Sequence, residues 1–139
     1  MRIWMLLATC ILSMPEAQAS VDHTPPPGGV YHLKPGTYVR VGVGCAAPPR
    51  EAIRRYDRRG ISRSEETACR ARVLSRRGGR YEVEQSCTVA RSRHPLRRSE
   101  FQTVTVVDAL TFVLDNGRRD LTYRYCPASM LRGVRGDLP

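Results

Sequence analysis

The sequence predicts an all-β domain: a small antiparallel up-and-down meander, closed as a barrel or sandwich and held by two disulfides. Three observations predict it. Apolar residues alternate with polar ones in several short runs, the period of a half-buried strand, and no run keeps a helical period. Turns rich in Gly, Pro, Asn and Asp separate these runs at short intervals. Four of the five cysteines follow an export-type leader, an even number suited to bridging.

The leader comes first. Arg2 precedes an apolar run from Ile3 to Leu12, Pro15 breaks it, and Ala17-Gln18-Ala19 supplies the small residues a signal peptidase reads. Charged start, short apolar stretch and small-residue exit describe a secretory signal over residues 1–19. The run is shorter than the ~20 apolar residues that span a bilayer. No later stretch is apolar enough, so no transmembrane segment is expected. Cys10, in Leu7-Ala8-Thr9-Cys10, offers a rival reading as a lipid anchor, but Thr9 is a poor residue before a modified cysteine and the apolar run continues past it. The expected location is periplasmic or secreted.

Losing residues 1–19 removes Arg2 and Glu16, so 22 basic and 12 acidic residues remain and the net charge stays +10. The remaining 120 residues suit one domain with a modest core. Residues 20–29, ending Pro25-Pro26-Pro27-Gly28-Gly29, read as a flexible leader. The domain is assigned to 30–131 and a tail to 132–139.

Within the domain, a short strand at 30–33 is expected ahead of the turn Lys34-Pro35-Gly36. Thr37, Val39, Val41, Val43 and Cys45 then alternate with Tyr38, Arg40, Gly42 and Gly44, and are assigned to the buried face. Residues 52–56 form a weaker strand. Cys69, Ala71 and Val73 alternate with Arg70 and Arg72; Tyr81, Val83, Gln85, Cys87 and Val89 alternate with Glu82, Glu84 and Ser86. Strands at 101–107, 110–114 and 121–125 follow, joined by turns at Asp108-Ala109 and Asn116-Gly117. Their leucines and valines should be buried, with Tyr123 and Tyr125 beside Leu121.

Cys45, Cys69, Cys87 and Cys126 allow three pairings. Their spacings of 24, 18 and 39 residues contain no Cys-x-x-Cys pair, so zinc is not expected. The hairpin chooses among the pairings. With Arg77-Gly78-Gly79 as a three-residue loop and Gly79 left-handed, Arg76 lies opposite Arg80. Val73 then faces Val83, Ala71 faces Gln85, and Cys69 faces Cys87, all six on one side. A two-residue loop would set Val73 against Glu84 on conflicting faces. In an up-and-down order Cys45 and Cys126 end upward strands at one end, and Cys69 and Cys87 sit at the other. Cys69–Cys87 and Cys45–Cys126 satisfy both arguments.

Gly36-Thr37-Tyr38-Val39 leading to Cys45, then Cys69, Cys87 and Tyr123-Arg124-Tyr125-Cys126-Pro127, resembles a group of small secreted bacterial proteins of uncharacterised activity. The likeness spans most of 30–131 and implies structure, not an activity. In outline the layout is also similar to small periplasmic β-barrel domains, including some lysozyme inhibitors, without a matching inhibitory motif.

No residue pattern points to catalysis, and the chain is expected not to be an enzyme. His23, His32 and His94 fall in loops or near a strand end, with no nucleophile elbow or phosphate loop in the sequence. Glu82 and Glu84 sit outward beside Arg70 and Arg72, where cross-strand charge pairing accounts for them. Glu65-Glu66 reads as a solvated pair. No cofactor, metal or nucleic acid is expected. Lys34 is the only lysine among 23 basic residues, a skew that codon usage explains, but the surplus positive charge attracts anions whatever its origin. Arg58, Arg59 and Arg63 in one loop, and Arg91, Arg93, Arg97 and Arg98 in another, are expected to converge on one rim. The expected function is non-enzymatic binding of an anionic envelope component or acidic protein through that rim. The alternatives are a periplasmic inhibitor of a cell-wall-degrading enzyme and a small secreted hydrolase with an unrecognised site.

Overall fold

The computed structural model of the chain describes residues 25–90 and 93–131. The signal-type segment, residues 20–24 of the leader, Arg91 and the 132–139 tail lie outside the described residues. Alternating residues build eight strands: β1 (Gly36–Arg40), β2 (Ile53–Tyr56), β3 (Ile61–Ser62), β4 (Glu66–Arg77), β5 (Arg80–Val89), β6 (Leu96–Asp108), β7 (Thr111–Asp115) and β8 (Asp120–Cys126). Two 3-10 turns, Arg50–Ala52 and Ala128–Met130, complete the described secondary structure. No helix among the described residues is long and apolar enough to cross a membrane.

Every strand pair is antiparallel, in the order β3-β2-β1-β8-β7-β6-β5-β4. Neighbours in the sheet are neighbours in the chain, except that β8 returns to β1. The two edge strands, β3 and β4, are themselves consecutive, so the sheet curls into a nearly closed barrel with its seam between them. Buried Gln85 spans that seam: its Oε1 accepts from the Ile61 N–H at 2.8 Å and its Nε2 donates to the Ile61 carbonyl at 2.7 Å. A side-chain amide thus supplies the two bonds that a paired strand would have given Ile61. Ala71 N–H donates to the Arg59 carbonyl at 2.8 Å beside it. Gly60 permits this approach, since a Cβ there would lie 3.0 Å from the Cys69 carbonyl group.

In an up-and-down order successive turns fall at alternate ends. One end carries the β2–β3, β4–β5 and β6–β7 turns, and residues 26–33 cover it. Val30 N–H bonds the Arg58 carbonyl, Lys34 N–H bonds the Ala109 carbonyl, and Gly28 bridges to Leu33. Tyr31 and Leu33 are fully buried, with the Tyr31 ring edge-on to Tyr81 at 5.2 Å. The expected strand at 30–33 is therefore a plug closed as a turn, because its residues fill the barrel end instead of extending the sheet. The leader's last residues are bonded too: Tyr56 Oη donates to the Gly28 carbonyl and Arg58 Nη2 to the Pro26 carbonyl.

All six tyrosines lie in the core or against it, with Val83, Val104, Phe112 and Leu114. The inward face of β1 carries Tyr38, not the Thr37–Val39–Val41 series. Tyr38 meets Phe112 at 5.1 Å between ring centres, and its hydroxyl donates to the Lys34 and Ala109 carbonyls. Val39 points outward and is covered by a second cluster with Cys126, Leu131, Val43 and Cys45. Cys45 and Cys126 were expected to end two upward strands at one end; instead β1 and β8 are antiparallel, Cys126 lies opposite Thr37 near the start of β1, and Cys45 reaches it from the loop after Arg40.

Both disulfides are present, Cys45–Cys126 and Cys69–Cys87. The registers Val73↔Val83 and Ala71↔Gln85 hold. The loop differs: Arg77 pairs with Arg80 around Gly78-Gly79, and Gly78, not Gly79, is left-handed at φ +56°. An extra residue in β4 between Val73 and Ser75 absorbs the one-residue difference, so the faces below the loop are unchanged. Val41, Val73, Val107 and Leu110 are exposed, against expectation: Val41 and Leu110 lie in connections just outside β1 and β7, Val107 is at the end of β6, and Val73 is on edge strand β4. Tyr123 is buried and Tyr125 and Leu121 pack against the core, as expected. Glu84 pairs with Arg72 on the outer face.

Three outcomes are expected. Gln85→Met leaves the Ile61 N–H and carbonyl unpaired and should lower unfolding free energy by about 2–6 kcal/mol in urea titration, at 1–3 kcal/mol per buried group. Removing Cys45–Cys126, which closes a separation of 81 residues, should cost about 4.5 kcal/mol, against about 3 kcal/mol for Cys69–Cys87 with its separation of 18. Burial raises the phenols of Tyr31, Tyr38 and Tyr56 above their ordinary value. The folded state then holds these protons more tightly than the unfolded chain, so stability should be full below pH ~10 and fall as pH rises further, seen as a falling urea midpoint.

Candidate functional site

The barrel end opposite the plug carries the β1–β2, β3–β4, β5–β6 and β7–β8 connections. A cleft of about 450 Å³ opens there, lined by Arg50, Glu51, Arg54, Arg63, Ser64, Glu65 and Ala90. Barrel mouths are a common place for ligands, because the wall is rigid and the connections are free to vary.

Arg54 is the unusual member. It sits on β2 two residues before Tyr56 and opposite Tyr38, so strand alternation turns it inward. Only 9% of it is exposed. Its Nη1 donates to the carbonyls of Glu51 at 3.1 Å and Ile53 at 2.7 Å, and its guanidinium lies 5.0 Å from the centre of the Tyr123 ring. Among the described residues no carboxylate forms an ion pair with it, although the Glu66 and Glu65 charges act on it, and its Nε is buried without a hydrogen-bond partner. Burial lowers its pKa, the nearby Tyr123 phenol opposes that, and the Arg63 charge adds to it. A buried cation held by carbonyls and a ring face, with donors left over, is costly unless something anionic meets it.

The other lining groups are set by the connections. Ser64 Oγ donates to the Arg50 carbonyl at 2.8 Å, tying the β3–β4 connection to the 3-10 turn. Arg63 is half-buried and paired with Glu100 at 2.8 Å and Glu66 at 3.8 Å. Glu66 is thus the first residue of β4 with a buried, paired carboxylate, not the solvated group expected beside Glu65. Glu51 and Glu65 are exposed.

The expected rim assembles only in part. Two-residue β3 separates Arg58 and Arg59 from Arg63, which sends the first two to the plug end. There Arg58 is turned onto Pro26, and exposed Arg59 is held through its backbone by Asp57 and Ala71. Arg63, Arg93, Arg97 and Arg98 belong to the cleft end, where Arg97 bonds Ser86 and Arg93 and Arg98 are exposed. Arg91 lies outside the described residues. Arg50, Glu51, Arg54, Ser64, Glu65 and Ala90 were not expected at a site. Only Arg54 carried a signal, its parity with Tyr56. His32 and His94 are exposed and line none of the described clefts. Among the described residues Glu66, Cys69 and Cys87 are close enough to hold a metal ion, but both sulfurs are committed to the disulfide.

No protein-family model, curated protein or solved structure matches the chain. The functional reading therefore rests on the geometry of the cleft.

Arg54→Met removes a buried charge that no ion pair offsets, but it leaves the Glu51 and Ile53 carbonyls without their donor. It is expected to lower unfolding free energy by about 1–3 kcal/mol in urea titration. A loss of about 5 kcal/mol or more would make Arg54 a structural pin instead of an available group.

Proposed function

We propose that the chain is exported, and that its mature domain is a non-enzymatic binding protein of the cell envelope or its surroundings, taking an anionic group in the open barrel mouth. One observation carries the reading: buried Arg54 lines that mouth with its Nε unmet and, among the described residues, no ion-paired carboxylate. Arg50 lines the same cleft, and Arg63, paired with Glu66 and Glu100, holds the β3–β4 connection beside it. Arginine's planar fork suits phosphate and carboxylate oxygens. The signal-type segment over 1–19 and the two disulfides support export, since such bridges persist in oxidising compartments. The arginines first assigned to a single rim keep a lesser role: Arg93, Arg97 and Arg98 add positive charge around the mouth.

Inorganic phosphate, titrated into the mature domain and followed by amide chemical shifts, tests the reading. Shifts should centre on Arg54, Ser64, Glu65 and Ala90, weaken as salt is raised, and vanish in Arg54→Met. Shifts spread over the exposed outer arginines and unaltered by Arg54→Met would show only a diffuse positive surface. Export is tested separately by N-terminal sequencing of the protein released from a bacterial envelope, where the chain should begin at Ser20.

A further inference from the structure

We propose that the outer face of β4–β7 binds a uronate-type oligosaccharide, with one sugar stacked on Phe101 and a sugar carboxylate held between Arg77 and Arg80. This face is on the outside of the barrel wall and shares no lining residue with the mouth, so the inference is independent of the anion reading there. The strand registers set it out in rows. Arg72, Glu84 and Phe101 form one row across β4, β5 and β6. Ser75, Glu82, Thr103 and Asp115 form the next and reach β7. Arg77, Arg80 and Thr105 form the one after. Two shallow clefts that share Glu82 connect these rows. One of about 300 Å³ runs from Leu74 past Phe101 to Asp115, and one of about 410 Å³ lies at Arg77 and Arg80.

Phe101 is 71% exposed while its neighbour Gln102 is buried, so the ring stands out from the wall. Beside it the carboxylates are only half engaged. Glu82 accepts from the Ser75 hydroxyl at 2.9 Å and Asp115 from the Gly117 N–H at 2.7 Å, each through one oxygen, and neither has an ion pair among the described residues. Arg77 and Arg80 face each other across the hairpin, both exposed, and neither side chain has a partner among the described residues. Like charges directly opposite are destabilising, and an anion between them removes that cost. A sugar has an apolar ring face and a rim of hydroxyl donors, which matches an exposed ring flanked by half-used acceptors. A carboxylate on the sugar chain matches the two guanidinium forks, and carries less charge past Glu82 than a dianion would. Four residues of β5 separate the Phe101 row from Arg80, about 13 Å, so the ligand is a chain of sugars and not a single one. A protein partner fits less well. A specific interface covers about 800 Å² a side around an apolar centre, and Phe101 and Leu74 are the only exposed large apolar residues lining these clefts.

Calorimetric titration of the mature domain tests the proposal, with trimannuronate, trigalacturonate and their neutral counterparts mannotriose and galactotriose as probes. The parent is compared with Phe101→Ala and with the double variant Arg77→Gln/Arg80→Gln. All three positions are exposed, so both variants should fold as the parent does, with near-UV circular dichroism as the check. At least one uronate trimer should bind, roughly fivefold or more tightly than its neutral counterpart, the scale of an exposed ion pair. The double variant should bring the two within about twofold. Phe101→Ala should weaken both by roughly fivefold, the scale of covering part of an aromatic ring. Binding of neither uronate trimer would overturn the proposal. Binding that is unchanged in Phe101→Ala would overturn it too, as would a preference for the charged trimer that survives in the double variant. Sedimentation velocity supplies the remaining check: self-association of the parent that is lost in Phe101→Ala would assign this face to a second copy of the chain and overturn the glycan proposal.

Discussion

Gln85 stands where the barrel would otherwise come apart. Strands β3 and β4 follow each other in the chain but do not pair along their length, and the two-residue β3 has too few backbone groups to form a ladder. Both polar groups of Ile61 would face an empty seam. The Gln85 amide, one donor and one acceptor in fixed geometry, meets them in place of a strand. Everything else requires that seam to hold. The plug packs on Tyr56 and Tyr81, which belong to walls on either side of it. The Cys69–Cys87 bridge fastens β4 to β5 beside the same place. The cleft draws lining residues from both sides as well, Arg54 and Arg63 from one and Ala90 from the other.

The seam also explains why Gly60 and Cys69 meet so closely. The β2–β3 turn must come near β4 for Arg59 and Ala71 to bond, and a side chain at 60 would press on the Cys69 carbonyl. A polar clamp is an uncommon way to close a barrel, because a buried amide tolerates no half-made bonds. Here the amide's oxygen and one of its N–H groups are both engaged, so the desolvation of Gln85 is met by bonds to a single residue.

Much of the fold was legible because β5 is covered on one face only. Tyr81, Val83, Gln85 and Cys87 point inward and Glu82 and Glu84 outward; the hairpin register and the Cys69–Cys87 bridge follow from that alternation, which leaves Cys45 and Cys126 to each other. The loop count was misread, yet the bulge in β4 restores the faces, so the bridge prediction survived an error at the turn. Strand β1 was misread for a different reason. Val39 and Tyr38 are both buried, one by the outer Cys126–Leu131 cluster and one by the core, and a strand covered on both faces shows no alternation that picks the inner one. The plug was illegible because Tyr31 and Leu33 gain their burial from distant strands, not from their neighbours. At the site, runs of arginine drew attention to charge as such, whereas within the pair Arg54-Arg55 only Arg54 is turned inward and buried. The carbonyls of Glu51 and Ile53 are local to it, but the ring of Tyr123 beneath it comes from β8 and leaves no local pattern.

A clamped seam and a plugged end together make a cup, with Arg54 set into its wall beside the cleft. The account stands on the seam: if β3 is held only by its two-residue pairing with β2, the cup does not exist in solution. Native-state hydrogen exchange of the Ile61 and Ala71 amides measures this most directly. Both should exchange only through openings nearly as costly as global unfolding, at rates matching the central amides of β5. Rapid exchange at Ile61 and Ala71 while β5 stays protected would show the seam to be open, and would contradict the account.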